Sequence, residues 1–273
     1  MQPNYADLIA LVRQAGEAVL EIYNRSDYTV VEKADESPLT EADLAANEIL
    51  VHGLPKLTSS PLPIISEESH LPSIEERAEW QRFWLIDPID GTKEFIERSG
   101  DFTINVALIE NGEPVFGMIY VPVTGECFYG GDGKAFLKIG EEPAISLKAS
   151  SVLQRIREKE ALRIMSSKRH GAEEVSRLCE NLQEKLAPVQ KVAVGSSLKL
   201  AYVAAGKGEL YPRYGNVSEW DIAAGHAILK AVGGDILNMQ YESINYLPKP
   251  QLIVPSFYAV GDRSFDWRPF LLT

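Results

Sequence analysis

The sequence predicts an α/β chain of the α+β kind, built as two sub-domains packed closely together. Three observations carry this. Between Pro63 and Ile139 short hydrophobic runs alternate with turn signals, the rhythm of an antiparallel sheet. After about residue 150 strand-like and helix-like segments alternate, the rhythm of layered α/β units. No linker, repeat or low-complexity stretch marks the change, so residues 1–150 and 151–273 read as tightly joined halves. A chain of 273 residues is long enough to bury a substantial core.

Tyr5 to Tyr23 puts Leu8, Leu11, Val12, Ala15, Val19 and Ile22 on one stripe, an amphipathic helix against a core. Its polar face is not basic, which argues against a membrane-surface helix. Tyr28 to Glu32 reads as a short strand. Thr40 opens a second helix through about Leu54, with Ser37-Pro38 as the stop before it. Ile64-Ile65 is a short buried strand and Phe83 to Ile86 another. Phe102 to Ile109 and Val115 to Val121 form a hairpin about Asn111-Gly112, a strong turn signal. Cys127 to Tyr129 and Ala135 to Ile139 continue the series across Gly130-Gly131-Asp132-Gly133. Leu162 to Met165 is then a strand, Ala172 to Leu186 a helix and Val189 to Val194 a strand. Ser197 to Ala205 is a helix, Gly208 to Tyr211 a strand and Asp221 to Val232 a helix. Asp235 to Leu237 and Leu252 to Val254 read as closing strands.

Composition narrows the function. Hydrophobic residues make up 45% and charged residues 24%, ordinary for a globular enzyme. A net charge of -12 repels polyanions, which argues against nucleic-acid polymers and anionic membrane surfaces as partners. A small anionic substrate is compatible only if cations and a few local Lys or Arg residues reverse the field. Cys127 and Cys179 sit in unrelated contexts and form no CxxC pair, so a reducing cytoplasm is the simplest home. His52, His70, His170 and His226 are scattered, which argues against a zinc site. No basic-then-apolar leader is visible, and no apolar run approaches the ~20 residues that span a bilayer.

The chemistry concentrates in acidic segments. Ile64-Ile65-Ser66-Glu67-Glu68 delivers two glutamates at a strand end, where ligands gather in open sheets. Asp87-Pro88-Ile89-Asp90-Gly91-Thr92 places two carboxylates three residues apart, with the Ile89 carbonyl between them as a neutral donor. That donor set suits a hard divalent cation, which takes oxygen ligands and keeps several waters. Gly91 permits an unusual dihedral, and Thr92 can cap a helix from Lys93, aiming free N–H groups at a phosphate. Glu219-Trp220-Asp221 starts an apolar helix whose dipole favours an ionised Asp221. Thr40-Glu41-Ala42-Asp43 resembles a capping box with Asp in place of Glu or Gln, and a cap alone accounts for it. If the segments converge, their carboxylates repel one another unless cations lie between them.

Glu67-Glu68, Asp87 to Thr92, and Trp220-Asp221, in that order, resemble the inositol monophosphatase superfamily of magnesium-dependent, lithium-sensitive phosphomonoesterases over nearly the whole chain. Asp90-Gly91-Thr92-Lys93-Glu94-Phe95 is similar to its 3'(2'),5'-bisphosphate nucleotidase branch of the bacterial CysQ type. So are Lys33-Ala34-Asp35 with Ser37-Pro38, Gly195-Ser196-Ser197-Leu198-Lys199, and Leu210-Tyr211-Pro212-Arg213. Ser66 stands where the superfamily often has glycine.

The resemblance implies a layered α-β-α-β-α fold. It implies hydrolysis of 3'-phosphoadenosine 5'-phosphate to AMP and phosphate, linked to sulfate assimilation, with two to three Mg2+ ions per site. Glu67, Asp87 and the Ile89 carbonyl would hold one cation and Asp87, Asp90 and Asp221 a second, while a third leans on Glu67. Thr92, Asp43 and Glu67 would orient the attacking water. Gly91, Thr92, His170, Ser196, Lys199 and Arg213 are the implied substrate contacts. A cytoplasmic monomer or homodimer is expected, with peripheral attachment to the inner membrane face left open. The alternatives are an inositol or sugar phosphate phosphatase with the same metal site, or a non-catalytic nucleotide- or metal-binding protein. The latter could dispense with Asp43 and Thr92, and both are present.

Overall fold

The structure is a computed structural model that describes residues 4–25, 27–32, 38–167 and 171–271. The chain opens on helix α1 (Tyr5–Tyr23), with the boundaries its apolar stripe predicts. An antiparallel pair, the exposed β1 (Val30–Glu32) and the half-buried β2 (Pro38–Thr40), leads into α2 (Glu41–Gly53).

Seven strands, neighbours in chain order, build the first sheet. They are β3 (Ile64–Ser66), β4 (Arg82–Asp90), β5 (Thr103–Glu110), β6 (Glu113–Val121), β7 (Glu126–Gly131), β8 (Lys134–Ile139) and β9 (Ile145–Ser146). β3 and β4 are parallel, joined by a crossover that carries α3 (Ile74–Ala78), and the later pairs are antiparallel. The short α4 (Thr92–Ile96) joins β4 to β5. At the β5–β6 turn Asn111 and Gly112 have φ of 53° and 80°, the two positive values a type I′ hairpin needs.

The second half runs α5 (Val152–Glu158), β10 (Leu162–Ser166), α6 (Ala172–Lys185), β11 (Val189–Ala193), α7 (Leu198–Ala204) and β12 (Leu210–Arg213). It continues with β13 (Val217–Ser218), α8 (Glu219–Ala231), β14 (Asp235–Asn238), β15 (Ile253–Val254) and β16 (Phe257–Val260). Five of these strands form the second sheet in the order β11-β10-β12-β16-β14.

The layers follow from which residues share a core. Trp84, Ile86, Ile104 and Val106 pack one face of the first sheet against Leu8, Val12 and Val19 of α1 and Ala46 and Leu50 of α2. Leu85, Ala107 and Ile109 on the other face share a core with Leu200 of α7 and Ile222 and Ile228 of α8. That core also takes in Tyr211, Ile236 and Ala259 of the second sheet. The far side of the second sheet packs Ile164, Leu210 and Val260 against Val175, Leu178 and Leu182 of α6. The stack is therefore α-β-α-β-α.

One expectation for the closing strands is corrected. Ile253-Val254 does not join the second sheet but pairs with Val217-Ser218 just before α8. Phe257–Val260 enters the sheet instead, between β12 and β14 and antiparallel to both. Both segments are short apolar runs, so periodicity alone does not rank them. The small β13–β15 pair has its own use: Leu252 O accepts the Glu219 N–H at 2.8 Å, which ties down the start of α8.

Candidate active site

In a regular strand residues three apart point to opposite faces. β4 departs from this at the acids: Asp87 lies across from Asn105 and Asp90 across from Thr103, so three steps on β4 match two on β5. This β-bulge turns both aspartates to the face covered by α7 and α8. Pro88 lies within the bulge, where the N–H it lacks is not needed by the ladder. The Ile89 N–H donates to Asp87 Oδ1 at 3.0 Å, while the Ile89 side chain is buried in the opposite core.

Gly91 follows with φ of 97°, a conformation a Cβ would strain, and an ideal Cβ there would lie 3.3 Å from Asp101 O and Ser196 Cβ. Gly91 is thus the N-cap of α4 and Thr92 its first helical residue. This corrects the expectation that Thr92 caps a helix from Lys93. Its hydroxyl is turned the other way, donating to Asp43 Oδ1 at 3.2 Å, with the Ile89 carbonyl oxygen 3.3 Å away. Asp43 has two duties. Its Oδ2 accepts the Thr40 N–H at 2.8 Å and the Thr40 hydroxyl at 2.6 Å, the capping box of α2, and its Oδ1 holds Thr92.

Asp221 arrives from the far half of the chain, in the first turn of α8. Ser218 N–H donates to its Oδ2 at 3.0 Å in a second capping box. α8 comes very close to the sheet at Gly117 of β6, where a Cβ would fall 2.0 Å from the Ala224 carbonyl oxygen. Only glycine admits the helix at that depth.

Asp87, Asp90 and Asp221 thereby bring carboxylate oxygens within 4.8 Å of one another. Burial raises the pKa of Asp87 well above the usual carboxylate range, and the charges of Glu67, Asp90 and Asp221 push it further. Burial and the charges of Asp90 and Glu67 do the same to Asp221. Asp90 is pushed up to about 6 by burial, although the Lys199 ammonium and the Ser197 N–H pull it down. Three mutually repelling oxygen donors, Asp87 buried and Asp90 and Asp221 half-buried, fit a hard divalent cation, which removes the repulsion when bound.

Glu67 lies outside that trio but lines the same cleft, and its charge also raises the pKa of Asp43, where burial is the larger cause. Ser66 before it is tied to α2 by donating to Asn47 Oδ1 at 2.7 Å.

The cleft has a volume of about 260 Å³. Glu67, Asp90, Gly91, Thr92, Ser196, Lys199, Arg213 and Asp221, all expected at the site, line it. Asp43, Asp87 and Ile89 lie just behind that lining, almost fully buried. His170 lies outside the described residues. Lys199 donates to Ser196 O at 2.5 Å and Val194 O at 3.3 Å, and its Nζ lies 5.2 Å from the centre of the Tyr211 ring. Burial pulls its pKa down to about 8, with Asp90 opposing.

Asn105 and Thr103 escaped the sequence reading, and Ser197 appeared there only within a motif and a helix, with no role at the site. The Ser197 N–H donates to Asp90 Oδ2, and its hydroxyl lies 2.8 Å from both Thr103 Oγ1 and Asn105 Oδ1. The available signal was two polar residues, Thr103 and Asn105, at alternate positions of an otherwise apolar strand.

The Inositol monophosphatase family model matches residues 1–264. The 3'(2'),5'-bisphosphate nucleotidase CysQ of Salmonella typhimurium is 40% identical over 248 residues, covering 90% of this chain and 95% of that protein. The Escherichia coli K12 protein of the same name is 39% identical over the same shares. Among solved structures, CysQ from Bacteroides thetaiotaomicron aligns with a TM-score of 0.78 at 35% identity, covering 94% of this chain and 97% of that one. The Thermotoga maritima IMPase aligns with a TM-score of 0.72 at 25% identity, covering 93% and 90%. With a family model matched across residues 1–264 and relatives this similar over nearly their whole length, the chain belongs to the inositol monophosphatase family.

Proposed function

We propose that this protein is a magnesium-dependent phosphomonoesterase that converts 3'-phosphoadenosine 5'-phosphate to AMP and phosphate. The observation that carries the reading is the convergence of Asp87, Asp90 and Asp221 beside a cleft that also holds Lys199 and Arg213. Such a site offers a place for cations and positive charge for a second phosphate. The names of the nucleotidase relatives point to the same substrate.

Two or three Mg2+ ions held by Asp87, Asp90 and Asp221, with Glu67 and the Ile89 carbonyl, would supply Lewis-acid activation of water and neutralise the phosphate. The chain's own groups do the rest. Thr92 gives its hydroxyl proton to the hydrogen bond with Asp43, so its lone pairs are free to accept from the attacking water and orient it. As water attacks the phosphorus, its proton passes to Thr92 Oγ1 while the Thr92 proton passes to Asp43; the bond from phosphorus to the 3'-oxygen breaks, and that oxygen leaves with AMP and takes a proton from solvent. Asp43 is suited to receive the Thr92 proton because burial raises its pKa. The first N–H groups of α4 lie beyond the reach of intrahelical carbonyls, as at any helix start, and would be offered to phosphate oxygens. Lys199 and Arg213 offer charge to the 5'-phosphate, and Ser196 lies beside them. His170 is assigned to the nucleotide on sequence alone. The cytoplasmic setting and the link to sulfate assimilation belong to the same reading.

The test is phosphate release by the purified protein with Mg2+, comparing 3'-phosphoadenosine 5'-phosphate, inositol 1-phosphate and fructose 1,6-bisphosphate. A strong nucleotide preference that a chelator abolishes is expected. Preference for a sugar or inositol phosphate would overturn the substrate and keep the metal chemistry. No release from any of them would favour a binding protein.

A further inference from the structure

Asp90 accepts a hydrogen bond from a residue of the other half of the chain. The Ser197 N–H donates to Asp90 Oδ2, and Ser197 is only 4% exposed. A backbone donor is as well placed as the residue that carries it, and Ser197 is held by its hydroxyl, 2.8 Å from Thr103 Oγ1 and 2.8 Å from Asn105 Oδ1. Thr103 and Asn105 are the residues directly across the sheet from Asp90 and Asp87. The two strand neighbours of the acids therefore hold the residue that holds one of the acids.

We propose that Asn105 and Thr103, acting through Ser197, are positioning residues for the cation site. They fix the Asp90 carboxylate in the orientation that lets it share a cation with Asp87. The inference rests on the reading of this site as cation-binding. Plain mutual satisfaction of buried polar groups is the competing account, and two observations weigh against it. The next residues on the same face of β5, Ala107 and Ile109, are apolar core, so nothing in the packing asks for amide and hydroxyl groups here. And Asn105, fully buried, leaves its Nδ2 without a partner among the described residues. A structural amide normally has both ends satisfied. This one keeps a spare donor on the residue paired with Asp87.

The surrounding loop is preset rather than adaptable. Ser196 carries φ of 46°, a left-handed conformation strained for serine. Lys199 clamps the Ser196 and Val194 carbonyls, and the Gly195 N–H donates to Asp101 Oδ2 at 3.1 Å. A loop held at this many points places the Ser197 N–H before any cation binds, which is what positioning requires.

The test uses the full chain, stripped with chelator, and Mn2+ as the titrant. Affinity is read by calorimetry and the cation-free Tm is recorded beside it. Ser197→Ala and Asn105→Leu are expected to weaken Mn2+ binding by roughly 10- to 100-fold, the usual effect of losing a group that orients a ligand. Ser197→Thr keeps the hydroxyl and is expected to recover most of that loss. Wild-type affinity in both Ser197→Ala and Asn105→Leu, with only Tm reduced, would make the network structural and overturn the proposal. If Asn105→Leu fails to fold, Ser197→Ala and Ser197→Thr decide the matter between them. If the wild-type chain itself takes up no cation, the metal reading of the site falls and this inference with it.

Discussion

Asp87 and Asp90 share one face of β4 although three residues separate them, because a β-bulge between them adds one residue against β5. Without that extra residue, one aspartate would point into the apolar core beneath α1 and α2. With it, both meet Asp221 of α8, more than a hundred residues away along the chain. The acids that could hold a cation are also acids that repel one another in its absence, and the predictions below turn on that tension.

Asp90→Asn removes a charge that raises the pKa of both Asp87 and Asp221. Turnover is expected to fall by more than the roughly 100-fold typical of losing a group that merely orients a ligand. The cation-free protein is expected to become more stable, with Tm rising about 2–4 °C for each 1 kcal/mol of repulsion relieved. Steady-state kinetics and thermal melts in chelator check both. Retained activity would remove Asp90 from the cation site.

The same tension sets a pH dependence. Asp90 has its folded pKa raised to about 6 from an ordinary 3.8, chiefly by burial. A raised folded value means that this group's stabilising contribution is fully present below the unfolded value and lost as pH rises through about 6. The cation-free fold thus gains from this group as pH falls, whereas the cation, which needs the carboxylate, is displaced. The Tm gap between Mg2+-saturated and chelated protein is expected to shrink as pH drops from about 7 to about 5. A gap that stays constant across that range would contradict the assignment.

Gly117→Ala tests how the site is seated. The new methyl would press on the Ala224 carbonyl and push α8 off the sheet, carrying Asp221 with it. Overpacking of this kind costs about 1–3 kcal/mol. Weaker Mn2+ binding is expected as well, because the third carboxylate moves. A loss of Tm with no change in Mn2+ affinity would show that α8 slides without disturbing Asp221.

Lys199→Ala should separate substrate contact from loop support. Hydrogen bonds to charged groups contribute about 1.5–3 kcal/mol, so KM for the bisphosphorylated nucleotide is expected to rise about 10-fold or more. A small phosphomonoester, which has no second phosphate, should be affected less. Equal effects on both substrates would assign Lys199 to the Val194 and Ser196 carbonyls alone.

Much of this protein is legible in its local pattern. The stripe from Leu8 to Ile22 yields α1 with both ends right, and Asn111-Gly112 places the β5–β6 turn, because helical period and paired positive φ are properties of contiguous residues. The acids at strand ends and helix starts were likewise visible as candidates.

Tertiary structure decided what periodicity cannot express. That Phe257–Val260 enters the second sheet while Ile253-Val254 braces α8 depends on competition between two similar apolar runs for one set of strand edges. That Thr92 turns to Asp43 follows from the left-handed Gly91 before it, and Ser197 joins the site only through strand register. The sequence by itself determined which groups could bind a cation and on which elements they ride. Their convergence was decided by one bulge and by the close seat of α8 on Gly117, since register and packing depth arise only when distant segments meet.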